Sequence, residues 1–205
     1  QKEEKYKNLL FVTKNGIVKK TNLEDFDSIR KTGKIAITLK EQDELVSVKL
    51  TTGKDEVLLC STNGRMVRFN ENEIRTMGRT ASGVKGINLT EGTCLGAEIG
   101  QEEEKIIVVT LKGYGKQTQI AEYRKTKRGS KGVKALNITS KNGNIISFKV
   151  NPGNMDMMIV TTEGIIIRMD VKNISTMGRT TQGVKLINLK ENDLVSTVSL
   201  VEKEK

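Results

Sequence analysis

The chain has 205 residues, of which 36% are apolar and 3% aromatic, with no Trp, no His and a formal net charge of +10. Without histidine it lacks the commonest general base and the commonest zinc ligand, and it has no CxxC pair, P-loop or dinucleotide fingerprint. No signal-peptide pattern and no apolar run near the ~18 residues of a membrane span is present, so the reading is of a non-enzymatic cytoplasmic chain with no cofactor, no metal and no membrane contact.

The first predicted element is the apolar run Leu9 to Val12, followed by the turn Asn15-Gly16 and a return strand from Ile17. Asn-Gly between apolar runs is the strongest short hairpin signal, because both residues tolerate the positive φ of a type I′ turn. A link follows, with Phe26 and Ile29 as apolar anchors and Arg30, Lys31, Gly33 and Lys34 in a basic, Gly-containing stretch. The second copy opens at Val57 to Cys60, turns at Asn63-Gly64, anchors at Ile74 and Met77, and runs through Arg79 and Gly83 to Lys85. A second hairpin is predicted here, from VKGINL through Thr90-Glu91-Gly92 to CLGAEI. The third copy opens at Ile106 to Val109, turns at Lys112-Gly113, returns through Lys116 and anchors at Ile120 and Tyr123. Its predicted second hairpin joins VKALNI to NIISFKV through Asn142-Gly143. The fourth runs from Met157 to Val160, turns at Glu163-Gly164, anchors at Ile174 and Met177, and continues through Arg179 and Gly183 to Lys185. The charge-neutral tail from Glu202 to Lys205 is predicted to be disordered.

Two glycine series set the period. Gly16, Gly64, Gly113 and Gly164 are spaced 48, 49 and 51 apart, and Gly33, Gly83, Gly132 and Gly183 are spaced 50, 49 and 51 apart. A repeat of about 50 residues implies a blade-type all-β architecture, in which one small sheet cannot bury its faces alone. The repeats are approximately 8–55, 56–104, 105–154 and 155–201, in one repeat domain spanning 1–205. Cys60 and Cys94 fall in apolar runs and read as buried free thiols.

Charge is shared unevenly. Residues 1–55 hold 12 Lys and Arg against 9 Asp and Glu, 56–104 hold 5 against 8, 105–154 hold 11 against 1, and 155–205 hold 7 against 7. In the third repeat Arg124, Lys125, Lys127, Arg128, Lys131 and Lys134 crowd around Gly129 and Gly132, and its sole acid is Glu122. A solvated face normally mixes both signs. An almost acid-free block calls for a partner that supplies negative charge, and glycines let backbone N–H groups approach phosphate while Lys and Arg neutralise it. The stretch has no Asn or Gln between its charges for base readout, and aromatics are too sparse for a stacking platform. Duplex DNA held by its backbone is the reading that follows. Its candidate contacts are Arg124, Lys125, Lys127, Arg128, Gly129, Lys131, Gly132, Lys134 and Lys116, with Arg30, Lys31, Lys34, Arg79, Lys85, Arg179 and Lys185 in the other repeats. A docking surface for an acidic protein is the alternative.

The stretches from Met77 to Ile87 and from Met177 to Ile187, with Gly33 to Ile37 and Tyr123 to Gly132, resemble the C-terminal domain of the DNA gyrase A subunit, and the resemblance covers essentially the whole chain. The A subunit of topoisomerase IV has a related, more degenerate domain. The resemblance implies a β-pinwheel, a propeller-like disc of four-stranded blades that exchange strands, with these four repeats corresponding to the last four of six. It implies DNA wrapping on a basic rim in support of negative supercoiling, in a bacterial, chromosome-associated enzyme with the rest of gyrase A and gyrase B as partners. The family's box motif, Q-R-R-G-G-K-G, is matched by Thr126 to Gly132 at Arg128, Gly129, Lys131 and Gly132, while Lys127 keeps the charge and Thr126 and Ser130 depart. No tyrosine here matches the family's catalytic one.

Overall fold

The computed structural model describes residues 6–28 and 32–203. Among them the chain forms fifteen strands and four single turns of 3₁₀ helix, and no α-helix. Its contacts resolve into two compact units, one of residues 1–61, 66–100 and 125–132, the other of residues 62–65, 101–124 and 133–205.

In the first unit, β1 (Asn8–Thr13) lies between β2 (Ile17–Asn22) and β3 (Leu45–Thr51), antiparallel to both, with Phe11 opposite Lys19 and Val48. The next repeat places β4 (Glu56–Ser61) between β5 (Arg65–Asn70) and β7 (Cys94–Ile99) in the same way. The central strands β1 and β4 are buried on both faces, which is why they read as unbroken apolar runs rather than alternating ones. Leu10, Val12, Val18, Val57, Leu59, Val67 and Phe69 form the shared core with Cys94. Cys60 and Cys94 are both free and buried, and burial pushes the Cys94 thiol up to about 11.

The second unit repeats the plan. The strand β8 (Lys105–Thr110) pairs with β9 (Tyr114–Gln119) and β11 (Ile145–Asn151), and β12 (Met155–Thr161) pairs with β13 (Ile166–Asp170) and β15 (Val195–Glu202). Its core gathers Ile107, Val109, Met157, Ile159, Val171, Ile174 and Val195.

The predicted second hairpins are not hairpins. The VK of the second copy is β6 (Val84–Lys85), and it joins β2 of the preceding repeat, with Val84 opposite Val18. The VK of the fourth copy, β14 (Val184–Lys185), likewise joins β9, with Lys185 opposite Tyr114. The VK of the third copy is β10 (Val133–Lys134). The partners read as return strands, β7 and β11, pair instead with their own repeat's central strand, as β15 does in the fourth. Glycine permits the crossing. At Gly83 φ is +95° and a Cβ would stand 2.5 Å from the Val18 carbonyl oxygen. At Gly33 φ is +74° but nothing lies within 4 Å, and residues 33–40 form no strand.

The tail also differs from expectation. Glu202 ends β15 and the Lys203 ammonium pairs with Asp170, whereas the last two residues lie outside the described part. No helix of the described residues is long and apolar enough to cross a membrane.

Candidate nucleic-acid interface

Each link descends from a 3₁₀ turn, and in the last three its apolar anchor is buried. Ile74, Tyr123 and Ile174 occupy one repeat position, nine residues before the second glycine, and each is at most 2% exposed. Phe26 packs on Phe11 at 6.3 Å, while its predicted companion Ile29 lies outside the described residues. The chain then docks by its backbone. The Met77 N–H donates to Lys20 O, Thr126 N–H to Arg68 O and Met177 N–H to Gln117 O, each at 2.8 Å.

The box-like stretch is held at several further points. The Gly129 N–H donates to Gly86 O at 2.7 Å, and the Asn88 N–H donates to Ser130 O at 2.9 Å. The two residues that depart from the box, Thr126 and Ser130, bond to each other through their hydroxyls at 3.1 Å and close the turn. Gly132 takes φ +69°, and a Cβ there would sit 2.3 Å from Met66 O. Both Gly129 and Gly132 are therefore spent on backbone geometry.

One arginine in each of the last three links is a brace. Arg79 donates through Nη1 to Ile35 O at 3.1 Å, Arg128 to Lys85 O at 2.7 Å and Arg179 to Lys134 O at 3.1 Å. Each acceptor lies two residues past the second glycine of the preceding repeat. The backbone N–H of Arg128 donates to Glu73 Oε2 at 2.8 Å, and that of Arg179 to Glu122 Oε2 at 3.0 Å. The sole acid of the third repeat is thus engaged by the fourth repeat's link and does not face its own.

The predicted contacts divide accordingly. Arg124, Lys127 and Lys131 are exposed, and their side chains make no hydrogen bond or ion pair among the described residues. Lys85 and Lys185 extend from β6 and β14 into solvent. Lys85 lies beside Gly129, so in the first unit it joins Lys127 and Lys131 on one basic stretch. Lys134 is exposed and donates to Asn137 Oδ1 at 3.2 Å. Lys125 is exposed and pairs with Glu56 at 3.3 Å. Lys34 donates to Ser28 Oγ and Asp25 O. Arg30 and Lys31 lie outside the described residues.

Lys116 is a correction. It is 0% exposed, and its ammonium donates to Gly178 O and Arg179 O at 2.8 Å and to Thr181 O and Oγ1. Burial, reinforced by the Arg179 cation against an opposing pull from Glu122, lowers its pKa to about 8. A side chain enclosed by backbone carbonyls cannot reach a phosphate; it holds the fourth repeat's link in place. Lys19 does the same in the first unit, donating to Ala36, Gly78 and Arg79 carbonyls.

The sequence reading missed Arg75, exposed at the repeat position of Arg124, eight residues before the second glycine. It also missed the buried Glu71. That carboxylate accepts from Gly53 N at 2.7 Å, Asp55 N at 2.9 Å and Thr51 Oγ1 at 2.8 Å, and pairs with Lys20 at 3.6 Å. The signal was present, since Ile120 and Val171 hold the same position and an acid replaces an apolar residue there.

Four copies of this strand-exchanging plan match the family model for the DNA gyrase C-terminal domain, beta-propeller, over residues 7–52, 55–92, 104–152 and 156–202. The chain belongs to the DNA gyrase A C-terminal domain family. The gyrase A subunit of Staphylococcus epidermidis is 47% identical over 207 residues, which is 100% of this chain and 23% of that protein. The gyrase A subunit of Ureaplasma parvum is 48% identical over 193 residues, 94% of this chain and 23% of that protein. The chain thus spans about a quarter of these relatives' length. Among solved structures, the C-terminal domain of a DNA topoisomerase IV superposes with a TM-score of 0.90 at 32% identity, covering 97% of this chain and 63% of that one. A DNA gyrase A C-terminal domain superposes with a TM-score of 0.85 at 24% identity, covering 98% and 68%, and speaks to the fold alone. The β-pinwheel expected of gyrase A C-terminal domains is the fold of this one.

Proposed function

We propose that this domain binds duplex DNA through backbone phosphates and bends it, as the DNA-wrapping part of a gyrase A subunit rather than of topoisomerase IV. The observation that carries the reading is the pair of exposed cations Lys127 and Lys131, whose side chains have no partner among the described residues, on a link whose glycines, arginine and hydroxyls are all committed to holding it rigid. A fixed loop offering free ammonium groups loses little side-chain order on meeting a phosphate, and it sits in the repeat that holds the chain's net excess of charge. Lys85 in the first unit, and Lys134 and Lys185 in the second, supply further contacts. The gyrase reading rests on identities of 47% and 48% to gyrase A subunits against 32% to the topoisomerase IV domain. In the whole protein the domain would act with the rest of gyrase A and gyrase B, at the bacterial chromosome, to support negative supercoiling.

Bending ~20–30 bp through a right angle costs on the order of 1–6 kcal/mol, so several charge contacts must act together. If about five phosphates are engaged, log K falls against log salt with a slope near −4 to −5. The test is titration of the chain onto duplexes of increasing length at several salt concentrations, with Lys127→Gln/Lys131→Gln beside the parent. Affinity that rises with length, falls steeply with salt and drops about tenfold in the variant supports the reading. Weak binding independent of length and unchanged in the variant overturns it in favour of an acidic protein partner.

A further inference from the structure

In the second unit, between the β8–β9 turn and the segments that lead into β11 and β15, lies an open cleft of about 540 Å³, lined by Lys112, Lys141, Lys185 and Lys190 around Tyr114, Ile187 and Leu189. That volume is within the range of small-molecule sites. Its four ammonium groups belong to exposed residues. The one acid that lines it, Asp193, is turned inward, its Oδ1 accepting from Thr162 Oγ1 at 2.9 Å, Glu163 N at 3.0 Å and Leu194 N at 2.9 Å. The cleft therefore combines an excess of positive charge, four lysines against one carboxylate, with an aromatic and aliphatic wall.

The repeat provides an internal control. The corresponding positions of the first two copies carry Asn15, Ile17, Lys40, Lys85 and Thr90, with two lysines instead of four and no aromatic ring. Blade packing therefore does not require these residues. The floor is fixed by the fold, since Ile187 packs over the Gly113 turn, where a Cβ would meet it at 2.5 Å. Lys112, Lys190 and Tyr114 are additions to that floor.

We propose that this cleft is a binding site for a nucleoside diphosphate, with the phosphates among the four lysines and the base against Tyr114. Stacking on an aromatic face and charge pairing with phosphate are separable contributions. The site is independent of the duplex-binding reading, with which it shares only Lys185.

The test is calorimetric titration of the chain with ADP and with pyrophosphate, backed by amide chemical shifts. ADP is expected to bind saturably, about tenfold more tightly than pyrophosphate because of the stacked base. In Lys141→Gln/Lys190→Gln both ligands weaken about fivefold. Tyr114→Ile, which installs the first repeat's residue, removes the preference for ADP and leaves pyrophosphate binding intact. Displacement of ADP by a duplex with one unpaired 5′-phosphorylated nucleotide, but not by its blunt counterpart, assigns the site to strand ends; no displacement by either assigns it to free nucleotide. The proposal is overturned if ADP binds no better than pyrophosphate or if the Lys141/Lys190 variant binds as the parent does. Duplex affinity of the Lys127/Lys131 variant is read separately, so failure of one reading leaves the other standing.

Discussion

Glu71 and Lys20 form an ion pair whose side chains are 0% and 6% exposed. Neither charge has water to fall back on, and the carboxylate also takes the backbone N–H groups of Gly53 and Asp55. Replacing one partner leaves the other charge buried alone. We expect Glu71→Ala to lower stability by about 3–5 kcal/mol, and Glu71→Ala/Lys20→Met to recover part of that loss, as measured by denaturant unfolding. A single variant within 1 kcal/mol of the parent would show that water reaches the pair. Lys116 gives a pH prediction. Its folded pKa of about 8 lies below the ordinary lysine value of 10.5, so between these limits the unfolded chain binds more protons. Parent stability should therefore rise relative to Lys116→Met as pH increases from about 8 towards 10.5, after a loss of about 2 kcal/mol in the variant at pH 7 from its abandoned carbonyls. A difference that stays flat over that window would contradict the assignment.

The exchanged strands turn on their glycines, and two of these separate backbone strain from steric clash. Gly132 combines positive φ with a carbonyl oxygen 2.3 Å from any Cβ, whereas Gly33 has positive φ and open space. Gly33→Ala should cost about 1–2 kcal/mol from φ alone. Gly132→Ala should cost about 2–5 kcal/mol and weaken duplex binding, because the link must lift. Equal melting temperatures for the two would mean that the link is loosely seated. The period of these glycines was fully legible in the sequence, as was the all-β architecture, because conformational demands recur wherever the backbone path recurs. The pairing of β6 and β14 with the preceding repeat was not legible from residue pattern. A two-residue strand has no periodicity to read, and the family resemblance alone implied the exchange. The charge count ranked Lys116 with Lys127 because composition does not tell an ammonium that faces carbonyls from one that faces solvent. Its place three residues past a turn glycine, shared with buried Lys19, was the available clue. The lysine-lined cleft escaped because its walls come from segments 29 residues or more apart in sequence, Lys112 against Lys141 and beyond.

Along the sequence, cations and thiols concentrate in different repeats, the third and the second. The third repeat concentrates the cations, while both cysteines lie in the first unit, free and buried. Burial keeps each thiol protonated, and the thiolate is the reactive form. Alkylation of the native chain at pH 8 should be slower than in denaturant by about a thousandfold, as followed by mass spectrometry. Rapid modification without denaturant would place a thiol within reach of solvent. The reagent then reports opening of the first unit, whose core holds both thiols.

A sheet completed by the next repeat's β6 or β14 makes the covalent unit and the folded unit differ in phase. A deletion that follows sheet boundaries therefore strips one blade of its borrowed strand and leaves a donor with no acceptor. A deletion from one turn glycine to the next, Gly16 to Gly64 for example, removes a full period and joins equivalent points of the backbone. Every remaining donor still meets a strand of the right kind. Duplication or loss of blades in whole periods is thus topologically silent, so a domain of this architecture can change its blade number by unequal recombination without passing through an unfolded ancestor.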